Sequence, residues 1–187
     1  MIYLDHLTTT PPLPEVVDAM QPWLQAQFGA PAALHRHGFE ARDAIEKARA
    51  RLGKLVNAAE PEEIIFTSSG TEAINHALKG AALAKRQFGS HIVTTPIEHP
   101  AVLGSIHWLE SHGFNSTQVG VDGQGRIDPG ALGQAMTDDT VLVCLHHASH
   151  DLGTIQPIAE VAEQTDARGI PLFVDATASG GWLPIDI

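Results

Sequence analysis

A strand-like apolar run, IIFTS (64–68), leads into Ser69-Gly70-Thr71 and then into a helical pattern beginning at Glu72. A small-residue turn between strand and helix gathers backbone N–H groups that have no acceptor inside the helix, and the helix dipole adds positive potential there. Such a place takes an anion, a phosphate in particular. Gly70 permits close approach of a ligand, and Thr71 can add its hydroxyl. The same Ser-Gly-Thr-Glu run also satisfies an ordinary helix cap, with Glu72 in the first turn. No lysine follows where a Walker loop requires one. Two further residues can do chemistry. Asp175 ends the run PLFVDAT, and open α/β sheets gather ligands at the C-terminal ends of their strands. A carboxylate there can keep a ring nitrogen protonated, or can simply cap the strand end. His99 follows Glu98 in a strand-to-helix loop. It can stack on a flat ring or move protons near neutral pH, or it can be a surface histidine at a helix start.

The elements that must position these residues alternate along the chain. Residues 14–28 carry Val16, Val17, Met20, Trp23, Leu24 and Phe28 at near-helical spacing, and 39–57 carry Ala41, Ile45, Ala48, Leu52 and Leu55 on one stripe. GAPAALHRHG between them is a loop by its Gly and Pro content. From residue 64 onward, strand-like runs (IIFTS, HIVTTP, NSTQVGV, TVLVCLHHAS, PLFVDAT) alternate with helical ones. That alternation predicts a mainly parallel sheet covered on both faces.

Composition narrows the function. There are 22 acidic against 11 basic residues, a net charge of −11. A general nucleic-acid or anionic-membrane binder needs a basic surface and is not expected. No apolar stretch reaches about 18 residues, so no membrane span is expected either. The single cysteine, Cys144, excludes an intramolecular disulfide and suggests a reducing compartment. The opening MIYLDHLTTTPPLP lacks the layout of a signal peptide, and the expected location is cytoplasmic. The segment LVCLHHASHD brings Cys144, His146, His147, His150 and Asp151 together, and Cys144 and His146 share a face on a strand. No familiar zinc spacing appears, so no metal site is expected.

Three separated blocks in order, PEEIIFTSSGTEAINH (61–76), TTPIEHPAV (94–102) and VDAT (174–177), resemble cysteine desulfurases of the NifS/IscS type. These are pyridoxal-phosphate enzymes of the class V aminotransferase family. The resemblance extends over essentially the whole chain. YLDHLTTTP resembles YLDNNATTP, FGAPAALHRHG resembles FGNPSSIHRFG, and HHASHDLGTIQPI resembles MHANNEVGTIQPI. It implies a three-layer α/β/α large domain of fold type I, truncated before its last strands, with sheet order 3-2-4-5-6-7-1. IIFTS would be strand 1 and PLFVDAT strand 5. Residues 1–187 would be one incomplete domain, with 1–12 as an N-terminal arm and 61–187 as the sheet and its covering helices. Gly70 and Thr71 would hold the cofactor phosphate, His99 would stack on the ring and act in catalysis, and Asp175 would pair with the ring nitrogen. His150 stands where the family has asparagine near the phenolic oxygen. Further departures are His6 and Leu7 for the paired asparagines of the opening motif, Ala30 for the loop asparagine, and Ala178 for the glutamine after VDAT.

The family's cofactor-linking lysine and sulfur-accepting cysteine lie beyond the segment matched here. The resemblance therefore implies desulfuration of L-cysteine for iron–sulfur or thiolation pathways, with the lysine and cysteine supplied by a second chain. A homo-oligomer or a complementary subunit would fill the slot between strands 1 and 5, and a sulfur-acceptor or scaffold protein would be a further partner. Pyridoxal phosphate would be held weakly, or not at all, by the chain alone. A second reading is an inactive relative that keeps the fold to dock a desulfurase or its acceptor.

Overall fold

The computed structural model describes residues 2, 3, 5, 6 and 9–187. Leu4, Leu7 and Thr8 of the opening segment, including the Leu7 departure, lie outside the described residues. The chain divides into two compact units, residues 1–66 with 183–187, and residues 67–182. From the sequence, 1–187 is expected to be one domain, with the sheet and its covering helices in 61–187. In the structure, the sheet and its covering helices belong to the second unit.

In the first unit, α1 (Pro14–Gln25) and α2 (Arg36–Leu55) follow the expected periodicities. His35 starts α2 by accepting the Gly38 N–H on Nδ1 at 3.2 Å. The expected pair of Arg49 with Glu46 forms at 3.1 Å, with Glu46 exposed and Arg49 largely covered. The C-terminal residues return to this unit. The Ile187 N–H donates to the Val56 carbonyl, and Asn57 Nδ2 donates to Asp186.

The run IIFTS departs from the expectation of a strand. Residues 64–67 form no strand. They follow a 3-10 turn (Pro61–Glu63), the Arg49 guanidinium donates to the Ile64 carbonyl, and the same guanidinium lies 5.2 Å from the Phe66 ring centroid. Ile65 is 64% exposed. A β-strand exists only where a neighbouring backbone completes its ladder, and no described strand pairs with this run. Residues 64–67 therefore belong to no sheet among the described residues.

The second unit is a parallel sheet of four strands among the described residues: β1 (His91–Thr94), β2 (Asn115–Gln118), β3 (Thr140–His146) and β4 (Leu172–Asp175). Their order is β2-β1-β3-β4. This order reproduces 3-2-4-5 of the arrangement implied by the resemblance. β3 is central and buried at every position. One face packs Ile92, Leu142 and Cys144 against Ile74 and Leu78 of α3 (Gly70–Ala84) and Val102 and Ile106 of α4 (Pro100–Glu110). The other packs Val93, Val143 and Leu145 against Leu132 of α5 (Pro129–Ala135) and Val161 of α6 (Ile158–Asp166). Alternate strand residues thus serve opposite layers.

His91, at the start of β1, is buried and bonded on both ring nitrogens, to the hydroxyls of Thr140 and Thr117 at 2.8 Å. Burial lowers its pKa, against a smaller opposing effect of Asp139. A lowered native value means that the neutral ring belongs to the folded state. Its contribution is intact above the unfolded value of about 6.5 and is lost as the pH falls from there through the native value. Urea midpoints should therefore drop on acidification, and His91→Gln should flatten that drop. An unchanged pH profile in the variant would contradict this account of His91.

Candidate functional site

The strand order reverses between β1 and β3. β2 lies beyond β1 on one side, and β4 lies beyond β3 on the other. All pairings are parallel, so the loops after β1 and β3 leave the same edge and diverge, which opens a crevice there. The first loop carries Glu98 and His99, and the second carries His147 to His150. The rings of His99 and His150 meet edge to face, with centroids 5.2 Å apart. His99 is also the N-cap of α4, and its Nδ1 accepts the Ala101 N–H at 3.1 Å, which fixes the ring. His150 Nε2 lies 3.4 Å from the exposed Asp151 carboxylate.

Asp175 is the last residue of β4 and is buried. Its Oδ1 accepts both the N–H and the hydroxyl of Thr177, at 3.0 and 2.6 Å. Its other oxygen accepts no hydrogen bond from the described residues. The carboxylate is therefore oriented by one oxygen and open at the other. The sequence named Asp175 but not Thr177, although Asp followed two residues later by a hydroxyl is a local signal for this turn. The Asp175 carbonyl accepts the His147 N–H, and Ser179 bonds His147 Nδ1 at 3.0 Å, so the two loops are tied together.

At the start of α3, the cap and the anion site turn out to be compatible. Ser69 Oγ accepts the Glu72 N–H, and the Glu72 carboxylate accepts the N–H and hydroxyl of Ser68. Those bonds from Ser68 hold Glu72 below the usual carboxylate range. The amides of Gly70 and Thr71, at the first two helical positions, have no intrahelical acceptor. A Cβ placed on Gly70 would lie 3.6 Å from Thr177 Oγ1. The first turn of α3 thus rests against the turn that orients Asp175. Gly70, Thr71 and Asp175 come together at the same edge of the sheet as His99 and His150.

Such an arrangement can bind an anion at α3, a protonated nitrogen at Asp175 and a flat ring beside His99. The lysines of this unit are elsewhere. Lys79 lies over the Trp108 ring and Lys85 over Phe88, roughly 13 and 22 Å along α3 from its first residue. Cys144 is wholly buried, and burial, with the Glu98 carboxylate adding to it, raises its thiol pKa well above the ordinary value. It is a core thiol rather than a nucleophile. Among the described residues, no group of three or more His, Cys, Asp and Glu side chains is gathered as a metal would need, and no helix is long and apolar enough to cross a membrane.

Comparison with known proteins matches residues 2–187 to the family model of aminotransferase class V. The cysteine desulfurase IscS of Dictyoglomus turgidum is 42% identical over 186 residues, which is all of this chain and 47% of that protein. A putative cysteine desulfurase IscS 1 of Bacillus subtilis is likewise 42% identical, with 49% of its length covered. Among solved structures, a NifS-like protein superposes with a TM-score of 0.94 at 34% identity, over all of this chain and 51% of its own. SspA in complex with cysteine superposes at 0.93 and 34% identity, over 98% of this chain and 53% of its own. The chain spans about half the length of the relatives it matches.

Proposed function

Because the chain belongs to the aminotransferase class V family, we propose that residues 1–187 form the cofactor-cradling part of a pyridoxal-phosphate-dependent cysteine desulfurase. Membership in that family implies the cofactor. The reading is carried by Asp175, whose carboxylate is held through one oxygen by Thr177, open at the other, and adjacent to the first turn of α3. A phosphate-bearing pyridine matches this donor set in charge and shape.

In this reading the Gly70 and Thr71 amides and the Thr71 hydroxyl bind the phosphate, with the α3 dipole behind them. Asp175 holds a proton on the ring nitrogen. His99 stacks on the ring, and with Nδ1 accepting the Ala101 N–H its Nε2 is the nitrogen left to move a proton. His150 replaces an amide with an imidazole beside the phenolic oxygen. The cofactor, once bound, supplies an electron sink for charge that develops on the amino acid during bond breaking.

The lysine and the acceptor thiol are supplied from outside residues 1–187. β4 is an edge of the described sheet and offers the lysine-bearing polypeptide a ladder to join. The net reaction converts L-cysteine and the acceptor thiol into alanine and a persulfide on that acceptor. The 187-residue chain alone should release no sulfide from L-cysteine above the rate of free pyridoxal phosphate. Mixed with the lysine- and cysteine-bearing polypeptide, it should give alanine and persulfide in equal amounts. Sulfide from the chain alone would contradict the division of residues. A mixture that binds cofactor without forming alanine would favour a docking role instead.

A further inference from the structure

Beneath the His99 loop runs a buried polar chain that the proposed function does not use. It links Thr95, Glu98, His146 and Gln156, all buried, the Glu98 side chain completely so. Gln156 is fixed by backbone at both ends of its amide. Oε1 accepts the Ile127 N–H at 3.0 Å, and Nε2 donates to the Gly125 carbonyl at 2.7 Å. Flipping the amide would lose both bonds. Nε2 also faces His146 Nε2 at 3.2 Å. An amide nitrogen only donates, so His146 Nε2 is the acceptor and the ring proton sits on Nδ1.

Nδ1 lies 3.2 Å from Glu98 Oε1, within ion-pair distance but outside hydrogen-bond geometry. Glu98 Oε1 also accepts the Thr95 hydroxyl at 2.7 Å, and Oε2 has no partner among the described residues. A buried carboxylate is costly unless dipoles and donors converge on it. Here the one hydrogen bond comes from the Thr95 hydroxyl, and the Nδ1 edge of an imidazole whose tautomer Gln156 dictates lies beside the carboxylate at ion-pair distance. His99 is the next residue after Glu98. Anchoring the Glu98 side chain to β3 therefore sets where the His99 backbone leaves the sheet.

We propose that His146 is a positioning residue, held as the Nδ1–H tautomer by Gln156, which fixes Glu98 and through it places His99 for the cofactor ring. The role toward the cofactor ring rests on the proposed function; the tautomer and the placement of His99 do not.

The test uses the whole chain. Nitrogen-15 spectra should show the His146 proton on Nδ1 and an unprotonated Nε2. His146→Leu removes the polar contact with Glu98, whereas the carboxamide of His146→Gln can present an N–H to Glu98 and still accept from Gln156. The Leu variant should shift the His99 ring resonances and, by misplacing that ring, weaken pyridoxal-phosphate binding about tenfold. The Gln variant should stay within about twofold of the parent. A proton on Nε2, an unmoved His99 ring in the Leu variant, or a Gln variant as impaired as Leu would overturn the proposal. Should the Leu variant fail to fold, Gln156→Leu replaces it; the Nε2–H form should then appear, and its absence would overturn the tautomer lock. If the parent binds no cofactor even when mixed with the lysine-bearing polypeptide, the cofactor reading fails, and the tautomer and the His99 resonances still decide this inference.

Discussion

Asp175→Ala is expected to weaken pyridoxal-phosphate binding by about 30-fold or more, the usual cost of truncating one partner of a buried, hydrogen-bonded charge pair. Asp175→Asn should lose nearly as much. Its amide keeps the shape and can still accept from Thr177, but it carries no charge to hold a proton on the ring nitrogen. Thr177→Val removes only the hydroxyl bond and should cost a few-fold. Fluorescence titration of the four proteins checks the ranking. Equal affinities across the set would mean that the ring nitrogen lies elsewhere.

Leu142→Ala is expected to destabilise the chain by about 2–5 kcal/mol. Leu142 is 1% exposed, sits on the central strand and packs in the cluster shared with α3 and α4. That is a large part of a typical domain's stability. Ile65→Ala, in the run that the sequence suggested as a strand, should change stability by no more than about 0.5 kcal/mol. Urea unfolding of the two variants measures the contrast. Comparable losses would show that residues 64–68 are packed after all.

β1, β3 and β4 were legible because each is a short apolar run set between helix signals, and β2, the polar NSTQ, by its place between the glycine stop after α4 and the turn DGQGRIDP. IIFTS is an apolar run too, yet forms no strand. Local pattern reports a tendency to extend, while a strand also needs a partner backbone, which composition does not encode. In α1, the apolar stripe was legible too, but Val16, Met20 and Leu24 are exposed, and periodicity does not say what covers a face. Gly70, Thr71, His99 and Asp175 could be picked out because each lies at the junction of a strand-like run and a turn or helix. The joining of Glu98 to His146, and of His146 to Gln156, could not. Those contacts depend on the β1–β3 register and on a glutamine held by two backbone groups of a distant turn. Thr177 falls between the two cases: its signal was local, but its importance shows only once the Asp175 carboxylate has a direction.

The central claim is that the cofactor lies across the carboxyl edge of the sheet, between the first turn of α3 and the end of β4. Amide spectra of the isotope-labelled chain, recorded through a pyridoxal-phosphate titration, test it most directly. The account predicts that Gly70, Thr71, His99 and Thr177 shift together with one saturating curve, while Lys79 and residues of α1 stay unmoved. Shifts confined to the surroundings of Lys79 or Lys85, with Gly70 and Thr177 unmoved, would contradict it.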